Sequence, residues 1–152
     1  AASGSAETSS NKVMIKTWDF DKDTDEYVQF QIPMPASWNE GTVTAEFLWS
    51  HASTSTNFGV SWAIQGAAFG NSDALDAAFG TAVVVDDTGG TTDDLFITSA
   101  TSAVTIAGTP AAGDLVIFRI FRDVSDSNDD MAIDARLHGI RLFLTTNVGN
   151  DA

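Results

Sequence analysis

The sequence contains no cysteine, which excludes disulfides, thiolate nucleophiles and cysteine-ligated zinc in one stroke. Basic residues are scarce: 7 Lys plus Arg stand against 21 Asp plus Glu, for a net charge of -14. Nucleic acid and anionic lipid are bound through Lys and Arg that neutralise phosphate, so partners of both kinds are expected to be repelled. The opening residues, AASGSAETSSNK, lack the basic start and apolar run of a signal peptide, and no apolar stretch is long enough to span a bilayer. A soluble protein is expected. Motifs of catalysis are sparse too. No G-x-S-x-G elbow accompanies the only two imidazoles, His51 and His138, and no Gly-rich phosphate loop joins a strand to a helix. Both histidines therefore read as structural or surface residues.

What is abundant is apolar and aromatic side chain. The hydrophobic share is 43%, with ten Phe and four Trp. At 152 residues the chain fits one domain that buries roughly 70% of the surface its unfolded form exposes. The polar start predicts a flexible tail over residues 1–12, leaving 13–152 as a single domain.

Period-two alternation dominates that domain. Val28, Phe30 and Ile32 share one face of VQFQI; Val43, Ala45, Phe47 and Trp49 share one face of TVTAEFLWS; Phe58, Val60, Trp62 and Ile64 repeat the pattern. Further strands are expected at VMIKTWDF, TAVVVDD, DLFITS, AVTIAG, DLVIFRIFRD and MAIDARLHGIRLFLTT, separated by Gly-, Pro-, Ser- and Asp-rich turns. One helix is predicted over residues 73–79, with Ser72 as its cap, Leu75, Ala78 and Phe79 on one face and Gly80 closing it. The fold class is all-β: a two-sheet antiparallel sandwich, with jelly roll the leading topology and an immunoglobulin-like order the alternative.

Two acidic segments invite a test for calcium. Asp19, Asp21, Asp23 and Asp25 occupy every second position of WDFDKDTDEY, but the spacing fails the EF-hand pattern. Counted from Asp19, position six is Thr24 where Gly is needed and position twelve is Phe30 where Glu is needed. A solvated hairpin is the expected form, with calcium at these four acids the minor alternative and no other cofactor. The second segment, DVSDSNDD, offers Asp123, Asp126, Asn128, Asp129 and Asp130 and reads as a polar turn rich in Asx chemistry. Among the tryptophans, Trp49 and Trp62 lie on core faces. Trp38, in the turn MPASWNEG, is the candidate ligand contact, since an indole face stacks on sugar as readily as it covers a core.

The last strands are apolar on both faces. In DLVIFRIFRD, Leu115, Ile117 and Phe121 oppose Val116, Phe118 and Ile120. In RLHGIRLFLTT, Leu137 and Phe143 oppose Ile140, Leu142 and Leu144, with Gly139 a candidate bulge. A sandwich strand ordinarily keeps one wet face. A second cover is therefore expected, from the helix over residues 73–79, from other subunits, or from both; the helix is too short for two long strands, so Leu115, Ile117, Phe121, Leu137 and Phe143 are the candidate seam between subunits.

The strings WNEGTVTAEFLW, VSWAIQGAAF, DALDAAFGTA, AVTIAGTPAAGDLVIFRIFRDVSD and DARLHGIRLFLTT resemble a group of small β-sandwich virion structural proteins of tailed bacteriophages and prophages, over residues 16–152. The resemblance implies a non-enzymatic role on the virion: a trimeric capsid decoration (cement) protein bound to a capsid or other virion protein. A head- or tail-fibre receptor-binding domain is the close alternative, and a secreted carbohydrate-binding module the more distant one. The resemblance supplies no binding residues.

Overall fold

Side chains that alternate in and out along an extended chain can bury one face only by stacking two sheets, and the computed structural model, which describes residues 1–53 and 58–147, has that form. Ten strands run in the order β1 (Ala2–Glu7), β2 (Met14–Phe20), β3 (Tyr27–Pro33), β4 (Trp38–His51), β5 (Gly59–Phe69), β6 (Val83–Thr88), β7 (Phe96–Ile97), β8 (Ile106–Ala107), β9 (Leu115–Arg122) and β10 (Ala135–Thr146). One sheet is ordered β1-β2-β10-β4-β7 and the other β3-β9-β5-β6, with β8 added parallel to β5. All other strand pairs are antiparallel.

The core lies between the sheets. Trp62 is stacked on Phe47 at 5.5 Å between ring centroids and meets the edge of Phe20 at 5.2 Å. Trp49, which is fully buried, places its indole N–H 2.7 Å from Asp87 Oδ2 and so satisfies its one donor. Strand β7 is only two residues long, because Thr98 and Thr101 take over its work. Their Oγ1 atoms accept the N–H groups of Phe47 and Ala45 at 3.0 and 3.1 Å.

Three expectations are corrected. No helix forms over residues 73–79, nor anywhere among the described residues. Ser72 has φ +72°, outside the extended geometry an N-cap needs, and Leu75 is 70% exposed, so a one-turn helix would have no apolar face to bury. The segment is instead pinned at its end, where Phe79 covers the Arg119 guanidinium at 4.6 Å and the Gly80 N–H bonds the Gly66 carbonyl. This irregular segment belongs to the same chain and covers part of the outer face of β9.

The second correction concerns residues 1–12. Ala2–Glu7 form an edge strand in register with β2, from Ala2↔Asp19 to Glu7↔Met14. Composition pointed to a tail because Ala, Ser and Gly carry no apolar pattern, yet strand pairing needs only backbone N–H and C=O. The third is Trp38, which starts β4, is 1% exposed and packs in the core cluster. A tight turn, closed by Trp38 N–H to the Pro35 carbonyl at 3.0 Å, carries the indole inside, where no ligand reaches it.

Candidate functional site

The most distinctive surface arises where β2 and β10 part. They pair at only three positions, Ala135↔Phe20, Arg136↔Asp19 and Leu137↔Trp18. Beyond these, β2 continues with β1 as a two-stranded hairpin, while β10 continues along β4 to Thr146. The cause is visible in the register: β10 slips between Leu137 and Gly139, with His138 the extra residue of a bulge, and a bulge bends its strand. Gly139 was the expected site, one residue away.

The bulge also reassigns faces. Leu137 and Ile140 would oppose each other in a regular strand, but the extra residue turns both inward: Leu137 is 2% exposed and Ile140 packs half-buried on the core. Leu137 is therefore withdrawn from the candidate seam. So is Phe121, 8% exposed beneath Tyr27. Leu115 and Ile117 are half-buried, and Phe143, at 45%, is the exposed member of the set.

Hydrogen-bond direction along β10 follows from β4. Val43, Ala45 and Phe47 bond Val104, Thr101 and Thr98 through both N–H and C=O, so these groups point away from β10. Their register partners Leu144, Leu142 and Ile140 form the non-bonded rungs of the β4–β10 ladder, and their own N–H and C=O groups point to the opposite side, into the gap left by β2. Among the described residues, the fork is thus an open strand edge. At its apex a cleft of about 240 Å³ is lined by Trp18, Val28, Phe30, Ile120, Leu137 and Ile140.

A second feature escaped sequence reasoning. His138 Nε2 lies 2.8 Å from Ser50 Oγ, a nucleophile–base distance created because Ser50 pairs with Arg136 and the bulge swings His138 over it. Burial first, and then the nearby Arg136, hold the imidazole below its ordinary pKa, with Asp19 opposing. Ser50 is only 3% exposed, so a substrate carbonyl has no approach to Oγ. His51 is fully buried: Gly90 N–H donates to Nε2 at 3.1 Å, leaving Nδ1 to donate to the Ala52 carbonyl at 2.7 Å, and the ring stacks on Phe96. Its role is structural.

The acidic segments are held by protein donors. Asp21 Oδ1 accepts the N–H groups of Asp23 and Thr24 at 2.6 and 2.9 Å, and chiefly the first of these lowers its pKa. Asp19 accepts the Thr17 hydroxyl, Asp25 accepts Val124 N–H, and Asp23 pairs with Lys22. In the second segment Asp123 and Asp126 close Asx turns onto Ser125 and Asn128. Asp130 Oδ1 accepts Gly59 N–H at 2.9 Å. Asp129 instead enters the core and pairs with Arg122. Among the described residues, no three or more His, Cys, Asp or Glu side chains converge to hold a metal ion.

Comparisons with protein-family models, with curated proteins and with solved structures found no match to this chain.

Proposed function

We propose that the chain is a non-enzymatic structural protein of a tailed-phage virion, a trimeric decoration protein on the capsid exterior. The observation that carries this reading is the open β10 edge. Soluble single domains protect sheet edges with charge, proline, bulges or very short strands; on β10 the bulge lies at His138 and Arg141 is the one charge beyond it, and the open groups of Ile140, Leu142 and Leu144 beside exposed apolar side chains are suited to pairing with another chain. The strands of the fork also carry Met14 and Trp18 on β2 and Phe143 on β10, 58%, 44% and 45% exposed. The virion setting and the threefold closure are drawn from the sequence resemblance.

Jelly-roll winding belongs to the same proposal. The antiparallel pairs β2·β10, β3·β9, β4·β7 and β5·β6 make one long ribbon, β2, β3, β4 and β5 running against β10, β9, β7 and β6, with its successive rungs alternating between the two sheets and β8 outside it. That is how a jelly roll is wound. Against an enzyme stands the burial of Ser50, which closes off the one nucleophile–base pair described above.

The test is particle composition. Particles from a lysate whose phage or prophage encodes this chain are purified and labelled with an antibody against it. Label on the capsid shell is expected; particles free of the chain overturn the proposal.

A further inference from the structure

We infer that the open edge of β10 accepts the β1–β2 hairpin of a second copy of this chain, so that copies are joined by strand addition and not by face-to-face packing. This deepens the oligomeric reading above by naming donor and acceptor.

Three observations select the acceptor and its occupant. First, the edges at β3, β6 and β7 carry the usual protections: β3 ends in Pro33, β6 carries Asp86 and Asp87, and β7 is two residues long. Along residues 140–144 of β10, about 16 Å of strand at 3.3 Å per residue, there is neither proline nor an inward charge, and the N–H and C=O groups of Ile140, Leu142 and Leu144 face the gap. Second, the same chain offers an edge of similar length, the six residues of β1, whose outer side pairs with no described strand.

Third, the hairpin beyond Trp18 stands on two strands alone, an arrangement marginally stable in water. Its far end holds Val13 and Met14, 54% and 58% exposed, which need a cover that their own β10 does not supply. Main-chain bonds would then supply affinity, and the apolar fork would set the register.

Two substitutions separate acceptor from donor. Leu142→Pro removes an N–H that points into the gap and leaves the β4 ladder intact, the position at which a strand tolerates proline. Met14→Asp alters only the exposed hairpin end. By light scattering after size exclusion, each variant alone is expected at the mass of one chain, with a far-UV spectrum like that of the unsubstituted protein. Mixed in equal amounts, the intact hairpin of Leu142→Pro and the intact edge of Met14→Asp are expected to form a heterodimer, twice the 16.0 kDa of one chain. Should Leu142→Pro fail to fold, Met14→Asp decides alone. An unsubstituted protein that is monomeric, or an oligomer unchanged by both substitutions, overturns the inference. The second result leaves the virion proposal standing, since particle labelling tests that separately.

Discussion

Arg122 and Asp129 form a two-pronged ion pair inside the molecule, with guanidinium-to-carboxylate distances of 2.8 and 2.7 Å and side chains 0% and 2% exposed. Further bonds hold both members: Arg122 reaches the carbonyls of Ile133 and Met131 at 2.7 Å each, and Asp129 accepts Ser61 N–H at 3.1 Å. The pair ties the end of β9 to the start of β5 and to the loop leading into β10. Removing one member strands a buried charge, so Arg122→Met is expected to cost about 3–5 kcal/mol. Replacing both, with Asp129→Leu added, is expected to cost less than the sum of the two single changes. Urea unfolding midpoints measure this, and a loss below about 1 kcal/mol for Arg122→Met contradicts it.

His138 makes stability depend on mild acid. Burial and Arg136 lower its pKa in the folded state, so as pH falls through about 6.5 the unfolded chain takes up a proton that the folded chain resists. Above that pH both forms are neutral and the effect is absent; below it stability falls. The drop in Tm from pH 7.5 to 5.5 is expected to be smaller in His138→Gln than in the unsubstituted protein. An equal or larger drop in the variant contradicts the assignment.

Calcium is expected to change little. The 19–26 segment owes its shape to Asp21 accepting two backbone N–H groups and to Glu26 accepting the Asp21 N–H at 3.0 Å. Melting in millimolar calcium and then in chelator should give Tm values within about a degree. A rise of many degrees that disappears when Asp21 and Asp23 become Asn would show an ion site. Asp21→Ala, by contrast, should lower the Tm by the same amount in either condition, because the turn loses the two N–H bonds that Asp21 accepts.

Proteolysis should find the turn of the hairpin before its strands. Residues 8–12 are exposed or nearly so, Lys12 sits at φ +56°, and the turn is closed by Thr8 N–H to the Val13 carbonyl at 3.0 Å. A broad-specificity protease followed by mass spectrometry is expected to cut first within residues 8–12. First cuts inside Ala2–Glu7 would mean that β1 is not held by β2.

The strands were legible because their cause is local. Alternation in VQFQI, TVTAEFLWS and FGVSWAI marks β3, β4 and β5, and the buried Phe47, Trp49, Val60 and Trp62 are the residues that the pattern places inside. What was not legible depends on partners distant in sequence. β1 has no apolar pattern and exists through pairing with β2. The 73–79 segment has helical spacing, but Gly66 and Arg119 on the β5–β9 sheet decide its path. A single extra residue at His138 reverses the faces of β10, which hid both the burial of Leu137 and the Ser50–His138 contact. Asp129 read as one more turn acid, since nothing local indicates that Arg122 points inward beside it.

The mass of the unsubstituted protein at micromolar concentration is the most direct test of an assembly subunit with an open strand edge. Light scattering after size exclusion is expected to give three times the 16.0 kDa of one chain. A single species at the mass of one chain would contradict the account.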